Sequence, residues 1–279
     1  MTSPTRIAFI GGGNMARSLI GGLLKSNWAA AGLSVSEPAA EAREALQRRF
    51  GRLGVTCVDD NAGCAAAAEV VVLAVKPQVL RAAVQSAAAA LQRNKPLLIS
   101  IAAGIRCADV LRWAGGEMAL VRAMPNTPAL VNAGVSGLFA NPLAGARERD
   151  LAEAILRAVG ETLWVGEEAL LDTVTGISGS GPAYLFKWME LLAAGAEAHG
   201  LDRDAANALV VQTALGAALL AKHGGQAPDE LRRQVTSRGG TTEAALEQME
   251  ALGLDDAVRR GIDAAIRRSV QIADQFGAA

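Results

Sequence analysis

Ile7-Ala8-Phe9-Ile10-Gly11-Gly12-Gly13-Asn14-Met15-Ala16 begins the patterned part of the chain: four apolar residues, three glycines, then a segment with helical periodicity. An unbroken apolar run bounded by glycine predicts a strand buried on both faces. The loop reads G-x-G-x-x-A. Gly11 would make the tight turn, Gly13 would let a pyrophosphate approach the backbone, and Ala16 would keep the helix close to the strand. Asn14 and Met15 open that helix, whose N-terminus suits a phosphate. Such a motif is weak by itself; its place at the head of a βαβ series gives it weight.

Working outward, short apolar runs alternate with helix-like stretches from Arg6 to about Trp164. Strands are expected at Ile7–Ile10, Leu33–Ser36, Val70–Val75, Leu97–Ile101, Met118–Ala123, Val135–Phe139 and Thr162–Val165, with a weaker one at Val55–Val58. Helices are expected at Met15–Leu24, Glu41–Arg49, Val79–Leu91 and Arg147–Val159. This alternation predicts a doubly wound, mostly parallel α/β domain of the Rossmann type over residues 1–165. Beyond Gly166 the strands stop, and helices are expected at Pro182–His199, Arg203–Lys222, Thr242–Ala251 and Asp255–Phe276. Residues 166–279 are therefore predicted to form an all-α domain.

The 279 residues are long enough for a large core, and a net charge of −1 favours neither nucleic acid nor an anionic membrane as partner. Cys57, Cys64 and Cys107 are odd in number and lack C-x-x-C spacing, and no apolar signal region precedes the first strand, so a cytoplasmic setting is expected and no metal site. Residues 205–221 carry no charge, but they are Ala-rich, include Asn207, Gln212 and Thr213, and are slightly short for a membrane span. A buried helix explains them better. A second subunit is the natural cover, so a homo-oligomer built through the C-terminal helices is expected.

Strand ends of open sheets border ligands, which singles out Glu37, Ala74-Val75-Lys76-Pro77, the Ala102 loop and Met124-Pro125-Asn126. Glu37 ends the second strand, where an acid accepts from a ribose 2′-hydroxyl and repels a 2′-phosphate; alone it favours NADH. Arg43, Arg48 and Arg49 lie further along and offer positive charge, so the 2′ question stays open. A second polar loop, Val235-Thr236-Ser237-Arg238-Gly239-Gly240-Thr241-Thr242-Glu243, runs into a helical pattern. Paired glycines and a helix start suit a small carboxylate, although a glycine turn with a threonine cap has the same look.

Oxidation of an alcohol calls for a positioned His or Lys base. The chain offers His199 and His223, both near helix ends, and Leu185 where hydroxyacid dehydrogenases with helical second domains place a lysine after a G-x-G turn, here Gly179-Ser180-Gly181. A protonated cyclic imine needs less help: alignment, a carboxylate anchor and a hydrogen bond to the ring nitrogen.

Six segments in order resemble the signatures of pyrroline-5-carboxylate reductases: residues 10–16, 74–78, 100–104, 122–131, 178–184 and 239–242. The resemblance implies reduction of L-1-pyrroline-5-carboxylate to L-proline with NADPH, NADH being the alternative that Glu37 keeps open, in a homodimer with an intertwined helical interface that can assemble to a decamer. It implies that Asn61, Lys76, Pro77, Ala102 and Met124 line the dinucleotide. It also implies that Thr242 bonds the ring nitrogen, while Ser237 and the N–H groups of Thr241 and Thr242 hold the carboxylate in the loop formed by Val235, Gly239 and Gly240. Arg238 departs from that family's Ser-Pro-Gly-Gly, and is expected to loosen the loop. A hydroxyacid dehydrogenase and a non-catalytic dinucleotide-binding protein are the alternative readings.

Overall fold

A computed structural model describes residues 5–277. The first part runs β1 (Ile7–Ile10), α1 (Asn14–Lys25), β2 (Leu33–Ser36), α2 (Ala40–Arg49), β3 (Thr56–Val58), α3 (Asn61–Ala65), β4 (Val70–Leu73), α4 (Pro77–Asn94), β5 (Leu97–Ser100), α5 (Cys107–Trp113), β6 (Leu120–Met124), β7 (Gly134–Ala140), α6 (Ala146–Arg157) and β8 (Gly160–Trp164). Next come α7 (Leu170–Val174), a π turn (Thr175–Gly179), α8 (Gly181–Ala198), α9 (Arg203–His223), α10 (Pro228–Gln234), α11 (Thr241–Ala251) and α12 (Leu254–Gly277).

The strands form one sheet in the order β3-β2-β1-β4-β5-β6-β7-β8, parallel except between β6 and β7. β1 shows why its sequence is apolar throughout. Ile7 and Phe9 pack on one face with Leu19, Leu23 and Ile155, while Ala8 and Ile10 pack on the other with Leu80, Val84 and Val110. Helices cover both faces, as the expected doubly wound α/β domain requires. The link at 125–133 holds only a 3₁₀ turn, too short for a crossover helix, so β7 returns antiparallel and β8 follows its sense.

The chain divides into two compact units, one reaching to Ser180 and regaining the chain from Ala265 onward, the other spanning Gly181–Ala264. The change of sequence pattern at 165/166 and this division do not coincide. α7 packs on β6 and β7. The last turns of α12 also belong to the α/β unit: Ser269 Oγ donates to Asp172 Oδ1 at 2.6 Å, Arg106 bonds Asp274 at 2.7 Å, Arg112 donates to the Gly277 carbonyl, and Ile272 lies against Gly104.

In the second unit α8 and α9 pack around Ala193, Ala206 and Val210. Phe186, Leu209 and Leu220 stay about 60% exposed in the single chain (63%, 57% and 63%), so this small core leaves a large apolar surface without cover. Among the described residues, α9 is the one helix long and apolar enough to cross a membrane by length and composition.

At the sheet edge, Glu153 of α6 fastens β8. Its carboxylate accepts from Trp164 Nε1 at 2.9 Å, Arg157 Nε at 2.9 Å and Thr162 Oγ1 at 3.1 Å. The Trp164 bond, then that of Arg157, holds its pKa below the usual carboxylate value. A depressed folded value stabilises the fold above the unfolded pKa, about 4.3 for glutamate, and that stability is lost as pH falls through the folded one. Glu153→Gln is expected to lower unfolding free energy by about 1 kcal/mol at neutral pH, with the gap closing below about pH 4. Urea titrations of both proteins between neutral and acid pH measure it; an unchanging gap would remove the ionised carboxylate from the account.

Candidate active site

The register fixes the site. Ile10 stands opposite Ser36 on one side and Leu73 on the other, so Gly11, Glu37 and Ala74 leave the sheet side by side. Gly11 donates to the Ser36 carbonyl at 2.9 Å, and Ala74 donates to that of Ile10 at 2.8 Å. Gly11 has φ +97°, and a Cβ there would lie 2.5 Å from Val75 Cγ1 and 2.8 Å from the Ala74 carbonyl oxygen. Only glycine satisfies both conditions. Gly13 is the N-cap of α1 with no side-chain cap, and a Cβ on it would meet nothing within 4 Å. The first-turn N–H groups of α1 thus face open space, an arrangement that fits the pyrophosphate of a dinucleotide.

That space is a cavity of about 490 Å³ lined on its polar side by Gly11, Gly12, Gly13, Glu37, Asn61 and Lys76, and on its apolar side by Pro38, Ala74, Val75, Val79, Ala82 and Ala83. Sequence reading missed Gly12, Pro38 and the α4 wall. Positions 79, 82 and 83 share a helix face, the one signal that would have revealed that wall. A cavity of about 440 Å³ at the opposite strand edge, bordered by Arg6, Glu69, Lys95 and Arg147, has no glycine in its lining, and the α6 start that reaches it carries the acid Glu148.

The other expected residues divide. Ser36 Oγ donates to Asn61 Oδ1 at 2.6 Å, and Asn61 Nδ2 donates to Ser86 Oγ at 2.9 Å, so Asn61 is locked at the cavity floor. Lys76 is exposed at the N-cap of α4, with Pro77 at its first turn. Asn14, Met15, Ala16, Pro77, Ala102, Met124 and Asn126 lie outside the cavity lining. Ala16 and Ala102 pack in the two cores, and a Cβ on Gly179 would come within 2.5 Å of Met124 Cε. Asn126 is buried and turned into the fold, accepting from Val135 N–H at 2.9 Å and donating to the Ser178 carbonyl at 3.2 Å.

In the second unit the 235–243 loop is built on a turn. Gly240 N–H donates to the Ser237 carbonyl at 3.0 Å, and Gly239 has φ +72°. Arg238 is not among the positive-φ residues, which makes this a type II turn with Arg238 at the position proline favours. Glu243 Oε2 accepts from Gly239 N–H at 2.6 Å and holds the turn against α11. A Cβ on Gly240 would meet Ser237 Oγ at 2.5 Å, so the serine hydroxyl sits over the helix start. Gly240 caps α11 without a side-chain bond, leaving the first-turn N–H groups of Thr241 and Thr242 available to an anion.

His199 and Lys187, the lysine nearest the Gly179–Gly181 segment, have local partners, and His223 is exposed at the end of α9. Lys187 pairs with Glu190 at 2.6 Å on an exposed face, and His199 Nδ1 lies 2.9 Å from the Gly195 carbonyl. Gly179-Ser180-Gly181, read as a turn, instead carries the π turn straight into α8. Burial raises the Cys64 and Cys107 thiols above their ordinary range, strongly for Cys107, so neither is a nucleophile.

The two glycines of the first turn should respond differently to alanine. Gly13→Ala is expected to keep its melting temperature while weakening dinucleotide binding at least about tenfold; Gly11→Ala is expected to lose both. Thermal melts paired with calorimetric titration separate them, and unimpaired binding by Gly13→Ala would move the phosphates elsewhere. Arg238→Pro is expected to be neutral or stabilising by up to about 1 kcal/mol, since the turn accepts proline. A large rise in substrate KM for that variant would instead make the guanidinium a ligand.

Residues 168–272 match the family model described as pyrroline-5-carboxylate reductase dimerisation, and residues 6–104 match NADP oxidoreductase coenzyme F420-dependent. Over 277 residues the chain is 47% identical to the pyrroline-5-carboxylate reductase of Pseudomonas aeruginosa, covering 99% of this chain and 100% of that one. It is 42% identical over 255 residues to that of Haemophilus influenzae, covering 91% and 92%. The solved structure of a pyrroline-5-carboxylate reductase from Coxiella burnetii superposes with a TM-score of 0.91 at 38% identity over 97% of this chain and 99% of that one. For pyrroline carboxylate reductase from Plasmodium falciparum with NADP bound the TM-score is 0.84 at 26% identity, over 96% and 98%. From end to end, then, the chain belongs to the pyrroline-5-carboxylate reductase family.

Proposed function

We propose that the protein reduces L-1-pyrroline-5-carboxylate to L-proline with hydride from NAD(P)H, the final step of proline biosynthesis. The observation that carries this reading is the cavity on the Gly11–Gly13 turn, opening onto an uncapped helix start, in a chain whose family membership covers its whole length. When bound, the reduced nicotinamide would supply a hydride to the imine carbon. The C=N electron pair moves onto nitrogen, which holds a proton and becomes the ring amine.

The protein's own part is binding and alignment. On the cofactor side Gly11, Gly13, Asn14, Met15 and Ala16 shape the phosphate cradle, and Glu37 and Asn61 face the adenosine. Ala74, Val75 and Lys76 continue the surface, Pro77, Ala102 and Met124 are assigned to the dinucleotide by the family resemblance, and Asn126 braces the Met124 loop through Val135 and Ser178. On the substrate side Ser237 and the N–H groups of Thr241 and Thr242 anchor the carboxylate within the turn of Val235, Gly239 and Gly240. The Thr242 hydroxyl bonds the ring nitrogen. The engagement of Lys187 and His199 in local contacts favours an imine over a hydroxy acid, whose oxidation needs a base.

The exposed apolar faces of α8 and α9 support a homodimer through the C-terminal helices, with a decamer as the larger assembly, working in the cytoplasm without membrane or nucleic acid.

Purified protein mixed with pyrroline-5-carboxylate and NADH or NADPH should consume reduced-cofactor absorbance; no loss with either would end the proposal. Thr242→Ala is expected to reduce kcat/KM by about tenfold or more while cofactor Kd stays within about twofold, as loss of one transition-state hydrogen bond implies. Equal turnover by the variant would take Thr242 out of the site.

A further inference from the structure

Resting on the dinucleotide reading, we propose that Glu37 makes this protein discriminate against the 2′-phosphate, so that it binds NAD(H) in preference to NADP(H).

Glu37 follows the last residue of β2, next to the β1 turn, and its side chain lines the cavity with Gly11, Gly12 and Gly13. In a fold of this kind that strand end meets the adenosine ribose. The carboxylate is fixed there. Oε2 accepts from Gly12 N–H at 3.1 Å and Oε1 from Ala39 N–H at 3.1 Å, so it cannot swing away without leaving two backbone donors unmet. A carboxylate oxygen has a second lone pair, which a ribose hydroxyl can satisfy by donating. A phosphate in the same place brings about −1.5 to −2 of charge and, when fully ionised, no proton to donate.

NADP-selective sites answer that charge with arginine, and here Arg43, Arg17, Arg48 and Arg49 each have a contact of their own. Arg43 Nη1 donates to the carbonyls of Glu37 at 2.9 Å and Pro38 at 3.1 Å, while Nη2 faces Asp59 at 3.7 Å. Arg17 Nε donates to the Gly12 carbonyl at 2.9 Å. Arg48 pairs with Glu44 at 3.5 Å, and Arg49 lies over the Phe50 ring at 5.0 Å. Lys76 follows β4, on the far side of β1 from β2, and therefore roughly 9 to 10 Å of sheet separates the two strand ends. The side-chain amide donor in the cavity lining, Asn61 Nδ2, is bonded to Ser86, and the Asp60 carboxylate, which caps α3, adds negative charge beside it. A 2′-hydroxyl meets an acceptor at Glu37; a 2′-phosphate meets a pinned like charge.

The test is binding, measured by isothermal titration and independent of turnover. Wild-type protein is titrated with NAD⁺, NADP⁺, 5′-AMP and adenosine 2′,5′-bisphosphate. NAD⁺ and 5′-AMP are expected to bind at least about tenfold more tightly than their 2′-phosphorylated counterparts. Glu37→Gln, whose amide oxygen can keep one backbone bond, is expected to narrow that ratio by about tenfold through tighter NADP⁺ binding. Glu37→Ser serves as a second variant, and the wild-type fragment pair decides the matter if both variants misfold. Wild-type NADP⁺ binding equal to or tighter than NAD⁺ binding would overturn the proposal and leave the reductase reading standing. A ratio unmoved in both folded variants would likewise overturn it. Binding of neither dinucleotide would defeat the reductase reading as well.

Discussion

The structure depends on the contact between the backbone of Gly11 and the strand end at Ala74–Val75. A side chain at that position would meet Val75 Cγ1 at 2.5 Å, so the turn exists only because glycine occupies it in a left-handed conformation. The turn points the start of α1 along the carboxyl edge of the sheet, and the level register of β1, β2 and β4 brings Glu37 and Ala74 alongside. Phosphate cradle, ribose acid and apolar wall follow from that approach together with two rows of ladder hydrogen bonds. Few degrees of freedom are left for side chains to set.

Chemically the site is sparse, and sparseness suits its reaction. Apart from the exposed Lys76, polar groups at the cavity are backbone N–H groups or side chains held by other protein atoms, as with Asn61 between Ser36 and Ser86. Such groups place a ligand without taking a proton from it. An imine, already polarised toward attack at carbon, asks for little more than placement.

Much of this was readable beforehand, and the exceptions have physical reasons. β1 and the first helix announce themselves because a strand buried on both faces must be apolar at every position. α3, α5 and α10 span five to seven residues, too few for a helical period to stand out. The reversed sense of β7 depends on the shortness of a link, and the π turn replaced an expected glycine loop because neighbouring helices continue through it. Asn126 reads as a ligand from sequence, whereas its side chain serves Val135 N–H and the Ser178 carbonyl, backbone groups whose need no local pattern reveals. Glu37 was legible as an acid at a strand end. That two N–H groups tie it down, and that Arg43 is taken up by carbonyls, is tertiary information.

The return of α12 to the α/β unit has a consequence for how the molecule comes into being. Asp274 and Gly277 meet Arg106 and Arg112 across 168 and 165 residues of chain, and the whole second unit is synthesised between them. A ribosome making this protein releases a sheet whose α5 and α7 still lack their partners, and the unit begun first is among the last to be finished. Until residues beyond Ala265 emerge, the faces around Gly104 and Asp172 stay open to solvent and to chaperones. The molecule's order of assembly is therefore not its order of synthesis.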